Sequence, residues 1–215
     1  NSVFQIAFKS TLIFLLVRCF QVFAGLIKNK IGAIFLGAFG MGLYGIYMNV
    51  INLIQKIASL GISEVAMRDI SEISQTNDKN EINIIISIVK KITFITALLG
   101  SVLIILFSPL ISMLNFGDFE YITKIIFLSP VVYFGILNEG NLAILKGLRK
   151  INELVLVNFF IAIFGIILVF PLYYKFGVNG IIPLLFCISF FSYIVSAYYS
   201  KKYLPIKINI DLLKF

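Results

Sequence analysis

A chain of 215 residues in which 60% are hydrophobic and 13% charged, at a mean hydropathy of +1.03, has too little polar surface to solvate a globular domain of its size. It has no His and only two Cys, Cys19 and Cys187, which excludes His-based triads, HExxH zinc sites, a His-ligated haem and a CxxC redox motif; there is no Walker A motif either. The formal charge of +8 has no folded basic domain to carry it toward nucleic acid, so it belongs to loops beside anionic lipid.

Six apolar stretches, 11–27, 41–62, 92–113, 122–145, 154–173 and 178–198, are each close to the ~20 residues that a helix needs to cross a bilayer. The predicted fold is all-α: one domain over 1–215, a polytopic bundle of six transmembrane helices. The first stretch carries Arg18 at its centre and no small-residue cleavage site, so it reads as a retained span and not a signal peptide. Along it Thr11, Phe14, Arg18, Gln21 and Gly25 recur at steps of three and four. In the second span, entered through the glycine-rich residues 37–45, Gly45, Asn49, Asn52, Lys56, Ser59 and Ser63 do the same, which places all six on one face.

Between the second and third spans, Arg68, Asp69, Glu72, Asp78 and Glu81 alternate with Val65, Met67, Ile70 and Ile73; this pattern predicts a short interfacial helix and a turn at 76–80. The fourth span holds Asn138, Glu139 and Asn141, with Glu139 sharing a face with Gly135, Ala143 and Lys146. The fifth has Asn158 seven residues before Gly165, and the sixth a row of Ser189, Ser192, Ser196 and Ser200. Pro109, Pro130, Pro171 and Pro183 lie near or inside span ends, where neighbouring helices support a kink.

Twelve cations fall in the N-terminus, the second and fourth connections and the C-terminus, against four (Lys28, Lys30, Lys124 and Lys175) in the other connections. That bias places both termini in the cytoplasm. Small and amide residues also serve simply to pack membrane helices, and that reading stands beside a functional one for most of the stripes. Arg18 resists it, because a cation in the middle of a span costs ~2.5–3.5 kcal/mol or more unless water or a partner receives it. Lys56 lies closer to an end and can snorkel. An arginine fork, a lysine, several amides and one carboxylate suit a ligand that is anionic at one point and hydroxyl-rich elsewhere, such as a lipid-linked oligosaccharide diphosphate.

The run IGAIFLGAFGMGLYGIYMNVINLIQKIASLGISEVAMRDISE (residues 31–72) resembles the second helix and first cytoplasmic loop of polysaccharide and O-antigen flippases in the multidrug/oligosaccharidyl-lipid/polysaccharide exporter superfamily. AILKGLRKINEL (143–154) resembles the loop after their fourth helix, and the six spans match the first half of such proteins. The resemblance implies one lobe of a two-lobe exporter, its second lobe absent from these 215 residues. It implies a flippase of the bacterial inner membrane that turns undecaprenyl-diphosphate-linked sugar repeats across by alternating access, with no bond chemistry and no cofactor or metal. Arg18 would attract the diphosphate and Lys56 assist entry, while Gln21, Asn49, Asn52 and Asn141 would meet the sugar. Glu139 would couple an ion or pair with Arg18. The implied partners are the lipid-linked oligosaccharide, membrane lipids and polysaccharide assembly proteins. Two alternatives stay open: a cation-coupled small-molecule exporter using Glu139, and a non-transporting scaffold whose stripes bind partner helices.

Overall fold

Glycine and proline set where the helices break. The computed structural model describes residues 2–74 and 79–203, with the side chains of 17–74 and 80–203. Secondary structure among these residues is helical throughout: α1 (Ser2–Ser59), α2 (Ile62–Ile73), α3 (Lys79–Leu106), α4 (Ser108–Phe116), α5 (Ile122–Ile126), α6 (Ser129–Gly147), α7 (Ile151–Phe176), a 3-10 turn (Gly177–Gly180) and α8 (Ile181–Lys201). α1 is kinked at Gly37, whose φ of 66° and ψ of −172° suit a residue without Cβ. Pro109 and Pro130 stand in the first turns of α4 and α6, where a missing amide hydrogen leaves no bond unmade.

Four stretches are long and apolar enough to cross a membrane: Val17–Ser59, Asn80–Leu106, Ile122–Gly147 and Ile151–Lys201. The first and last each hold two passes, and side-chain pairings give their directions. Phe20 packs on Phe159 (ring centroids 5.0 Å apart), Lys28 lies against Gly165, and Phe35 meets Phe170 (5.6 Å), so the first arm of α1 runs parallel to α7. The second arm leaves Val178 at Gly40 and arrives with Gln55 over Gly135 and Ala58 beside Gly100, parallel to α6. α3 is antiparallel to α6 (Gly100 on Ile136, Thr93 on Gly140), α8 parallel to it (Phe134 on Phe190, 5.0 Å; Asn141 on Ser200), and α7 antiparallel to α8 (Gly165 near Ile188; Phe164 on Phe191, 3.8 Å). The two arms of α1, then α3, α6, α7 and α8, therefore alternate in direction as six passes.

Close helix approach is made by small residues, as expected where lipid gives apolar side chains no reason to leave it. A Cβ on Gly100 would stand 2.7 Å from Ile136 Cδ1, and one on Gly147 2.7 Å from Ile70 Cβ. The main core gathers Tyr47, Ile51 and Ile54 of α1, Ala97 and Ile104 of α3, Val132 and Ile136 of α6, and Ile181 of α8. A smaller cluster seats α2 through Ala66 and Ile70 on Ile86, Val89, Ala143 and Ile144. Arg68, Lys91, Lys146, Arg149, Lys201 and Lys202 share the end of the bundle that holds α2, and Lys124 and Lys175 lie toward the opposite end.

Span ends differ from the sequence-based ones. The first helix continues past residue 27 to the kink at Gly37, so Lys28 and Lys30 are helical and not part of an external turn. A hydropathy reading stops at the first cations; the backbone stops only at a residue that leaves helical φ/ψ. The third span begins at Lys79 and ends at Leu106, the rest of 92–113 forming α4. The fourth divides at Leu128 into α5 and α6. The helix expected between the second and third spans forms as α2, while the turn expected at 76–80 falls largely on residues 75–78, outside the described residues, with Lys79 and Asn80 already in α3.

Candidate functional site

The second arm of α1 buries Leu43, Tyr47, Val50, Ile51, Ile54 and Ala58, which turns Asn49, Asn52 and Lys56 outward. All three are exposed, beside an exposed apolar strip of Leu53 and Ile57. Two surfaces thus share one helix: the apolar strip suits acyl chains, whereas amides in hydrocarbon lack hydrogen-bond partners and require water or polar neighbours.

Glu139 is exposed and stands one turn along α6 from Gly135, the residue that the Gln55 side chain covers. The charges that act on it are those of Glu64, Lys146 and Lys56. Lys56 and Glu139 are therefore within electrostatic reach of each other, and Asn52 is one turn from Lys56. Asn138 Oδ1, the neighbouring position, is buried with no hydrogen-bond partner among the described residues.

Arg18 and Gln21 lie apart from that group on the first arm of α1. Arg18 is exposed, and its Nη1 donates to Gln21 Oε1 at 3.3 Å. The level of Phe20 beside Phe159 puts Arg18 roughly 9 Å from the N-terminal end of α7, at 1.5 Å per residue. Measured against α7, Arg18 thus stands nearer the end of that helix than its middle. The cation level with the middle of α7 is Lys28, half-buried, whose Cδ and Nζ would lie 3.4 Å from a Cβ on Gly165. Gly165 is fourteen residues into α7 and eleven from its end, roughly 21 and 16 Å respectively. The signal was in the sequence: the stripe Arg18, Gln21, Gly25 continues at the same spacing to Lys28 and Gly32, and only the early end given to the span concealed it.

Asn141 faces α8 and not the α1 stripe. It is buried, its Nδ2 donating to Ser196 Oγ (3.4 Å) and its Oδ1 accepting from Ser200 Oγ (3.0 Å). Two members of the sixth-span serine row thus bond across to α6, while Ser192 Oγ donates to its own helix at Ile188 O (2.7 Å). Among the described residues no three His, Cys, Asp or Glu side chains converge as metal ligands.

The sequence matches the family described as polysaccharide biosynthesis protein over residues 7–215. No curated protein and no solved structure matches the chain.

Proposed function

The chain belongs to the polysaccharide biosynthesis protein family, and on that premise we propose that it forms one lobe of a flippase that moves undecaprenyl-diphosphate-linked sugar repeats across the bacterial inner membrane by alternating access. Family membership and the apolar helices make it a multi-pass membrane protein related to polysaccharide transport.

The observation that carries the finer reading is the exposed row of Asn49, Asn52 and Lys56 on a helix whose neighbouring strip is apolar. Facing a second lobe across a wet cleft, that row meets sugar hydroxyls with amide donors and acceptors. Lys28 and Arg18, at two depths along the first arm, offer the diphosphate successive cationic contacts, with Gln21 between them. Glu139, an exposed carboxylate on α6 within electrostatic reach of Lys56, is a candidate ion-coupling residue. Asn141 reaches a sugar only by exchanging its bonds to Ser196 and Ser200.

The reading is tested by replacing Asn49, Asn52 and Lys56 together with Leu in a cell that depends on this protein for a surface polymer. Surface polysaccharide should fall at least about tenfold, the equivalent of ~1.4 kcal/mol, while lipid-linked repeats accumulate on the cytoplasmic face. A triple variant inserted at the normal level and exporting normally would remove the stripe from the transport path.

A further inference from the structure

A second polar feature lies on the other side of α6. Residues 137 and 141 stand two positions either side of Glu139, which at about 100° per residue turns them roughly 200° from it. There α3, α6 and α8 enclose a groove of about 190 Å³ whose lining includes Lys90, Thr93, Phe94, Tyr133, Tyr193 and Lys201. Its two ammoniums are near enough to act on each other electrostatically, and among the described residues no Asp or Glu lines it.

The groove is graded along its length. Lys201 ends α8 one residue past Ser200, which bonds Asn141, so the cations stand near the basic end of the bundle. Tyr133 lies eight residues along α6 from Asn141, roughly 12 Å deeper, and packs on Phe94 (6.2 Å). Cations at the interface above an aromatic floor match an anionic headgroup above the start of its acyl chains. Two like charges held together without a carboxylate in the groove are relieved by a ligand with negative charge, and anionic lipid attracts lysines at this level.

We propose that this groove is a binding site for an anionic phospholipid, with Lys90 and Lys201 holding its phosphate and Phe94, Tyr133 and Tyr193 its acyl stems. The site is separate from the α1 stripe and stands whether or not the chain flips a sugar lipid.

The test is native mass spectrometry of the purified chain released from nanodiscs of mixed phosphatidylglycerol and phosphatidylcholine. The wild type should retain phosphatidylglycerol in preference to phosphatidylcholine, and the Lys90→Gln/Lys201→Gln pair should weaken that retention about tenfold. Lys90→Arg/Lys201→Arg should keep it, as should Lys91→Gln/Lys202→Gln, which removes the same charge from exposed neighbours outside the groove. Millimolar inorganic phosphate should not displace the lipid. Equal retention by the Lys90/Lys201 Gln pair, an equal loss in the Lys91/Lys202 pair, equal retention of phosphatidylcholine, or displacement by inorganic phosphate would each overturn the proposal, the last in favour of a soluble phosphate ligand. Should the Gln pair lose its thermal unfolding transition, Ala197→Phe fills the groove without changing charge; undiminished retention by that variant overturns the proposal as well.

Discussion

Lys28 lies against Gly165, its Cδ and Nζ 3.4 Å from where a β-carbon would be, close to the middle of α7. A lysine at that depth finds room because the facing residue has no side chain, and keeping it there is costly unless water or an anion meets its charge. If Lys28 receives the diphosphate, Lys28→Gln should lower export at least about tenfold, the size of one charge-assisted hydrogen bond of ~1.5–3 kcal/mol. Gly165→Leu should do the same by displacing the ammonium, with Lys28 intact. Measuring surface polysaccharide against the inserted level of each variant checks this; full export by Lys28→Gln removes the residue from the path.

The number of passes was legible in the sequence because apolar stretches of membrane length report burial in lipid irrespective of packing. Their ends were not, since hydropathy falls at Lys28 and Lys30 although the helix runs on to Gly37. α2 was legible from its spaced Val65, Ile70 and charged neighbours, and the structure buries Ala66 and Ile70. The stripes were visible as periodicities, but periodicity gives a face and not its neighbour. Asn49 and Asn141 look alike in sequence; only packing separates an exposed amide on α1 from one already bonded to Ser196 and Ser200.

Gly37 joins the two arms of α1 with φ 66° and ψ −172°, a region nearly closed to residues with a Cβ, although nothing stands within 4 Å of the place a Cβ would occupy. Gly37→Ala should therefore destabilise the protein by ~1–3 kcal/mol through backbone strain alone. Gly42→Ala, also in open space but within the helix, should be neutral or slightly stabilising. Thermal unfolding in detergent compares the two, and equal midpoints would show that the kink imposes no strain.

Replacing Asn141 should cost little stability despite its burial. Ser196 Oγ donates to Tyr193 O (3.1 Å), and the single hydroxyl proton of Ser200 has Ala197 O within reach (3.2 Å) as an alternative acceptor, so neither hydroxyl is stranded when the amide goes. Asn141→Ala is expected to lose ~0.6–1.7 kcal/mol, the range for hydrogen bonds between membrane helices. A loss above ~3 kcal/mol by reversible unfolding would mean that the amide satisfies more than these two serines.

Gathering Arg68, Lys91, Lys146, Arg149, Lys201 and Lys202 at one end predicts that this end is cytoplasmic. A cysteine at exposed Asp118, in the connection between α4 and α5, should react with an impermeant thiol reagent from outside the cell in a Cys19→Ser/Cys187→Ser background, and a cysteine at exposed Arg68 should not. The reverse pattern would invert the proposed orientation.

Tyr203, just past α8, donates its hydroxyl to Glu153 Oε1 in the first turn of α7, and Lys150 Nζ stands 4.7 Å over its ring. Burial, then the hydrogen bond to Glu153 and the charge of that carboxylate, push the phenol from 10.0 up to about 12. An acid whose pKa rises on folding holds its proton more tightly when folded, so the stabilisation is complete below the unfolded value near 10 and is lost as pH climbs through about 12. At neutral pH, Tyr203→Phe should lower stability by ~1 kcal/mol, the ordinary net value of one hydrogen bond. Other tyrosines titrate in alkali too, so the informative quantity is the difference between wild type and Tyr203→Phe. That difference in unfolding midpoint should persist from pH ~7 to ~9 and close above ~12; a difference that stays constant across the whole range would mean that the ring's packing under Lys150, and not the proton shared with Glu153, holds this end of α8 to α7.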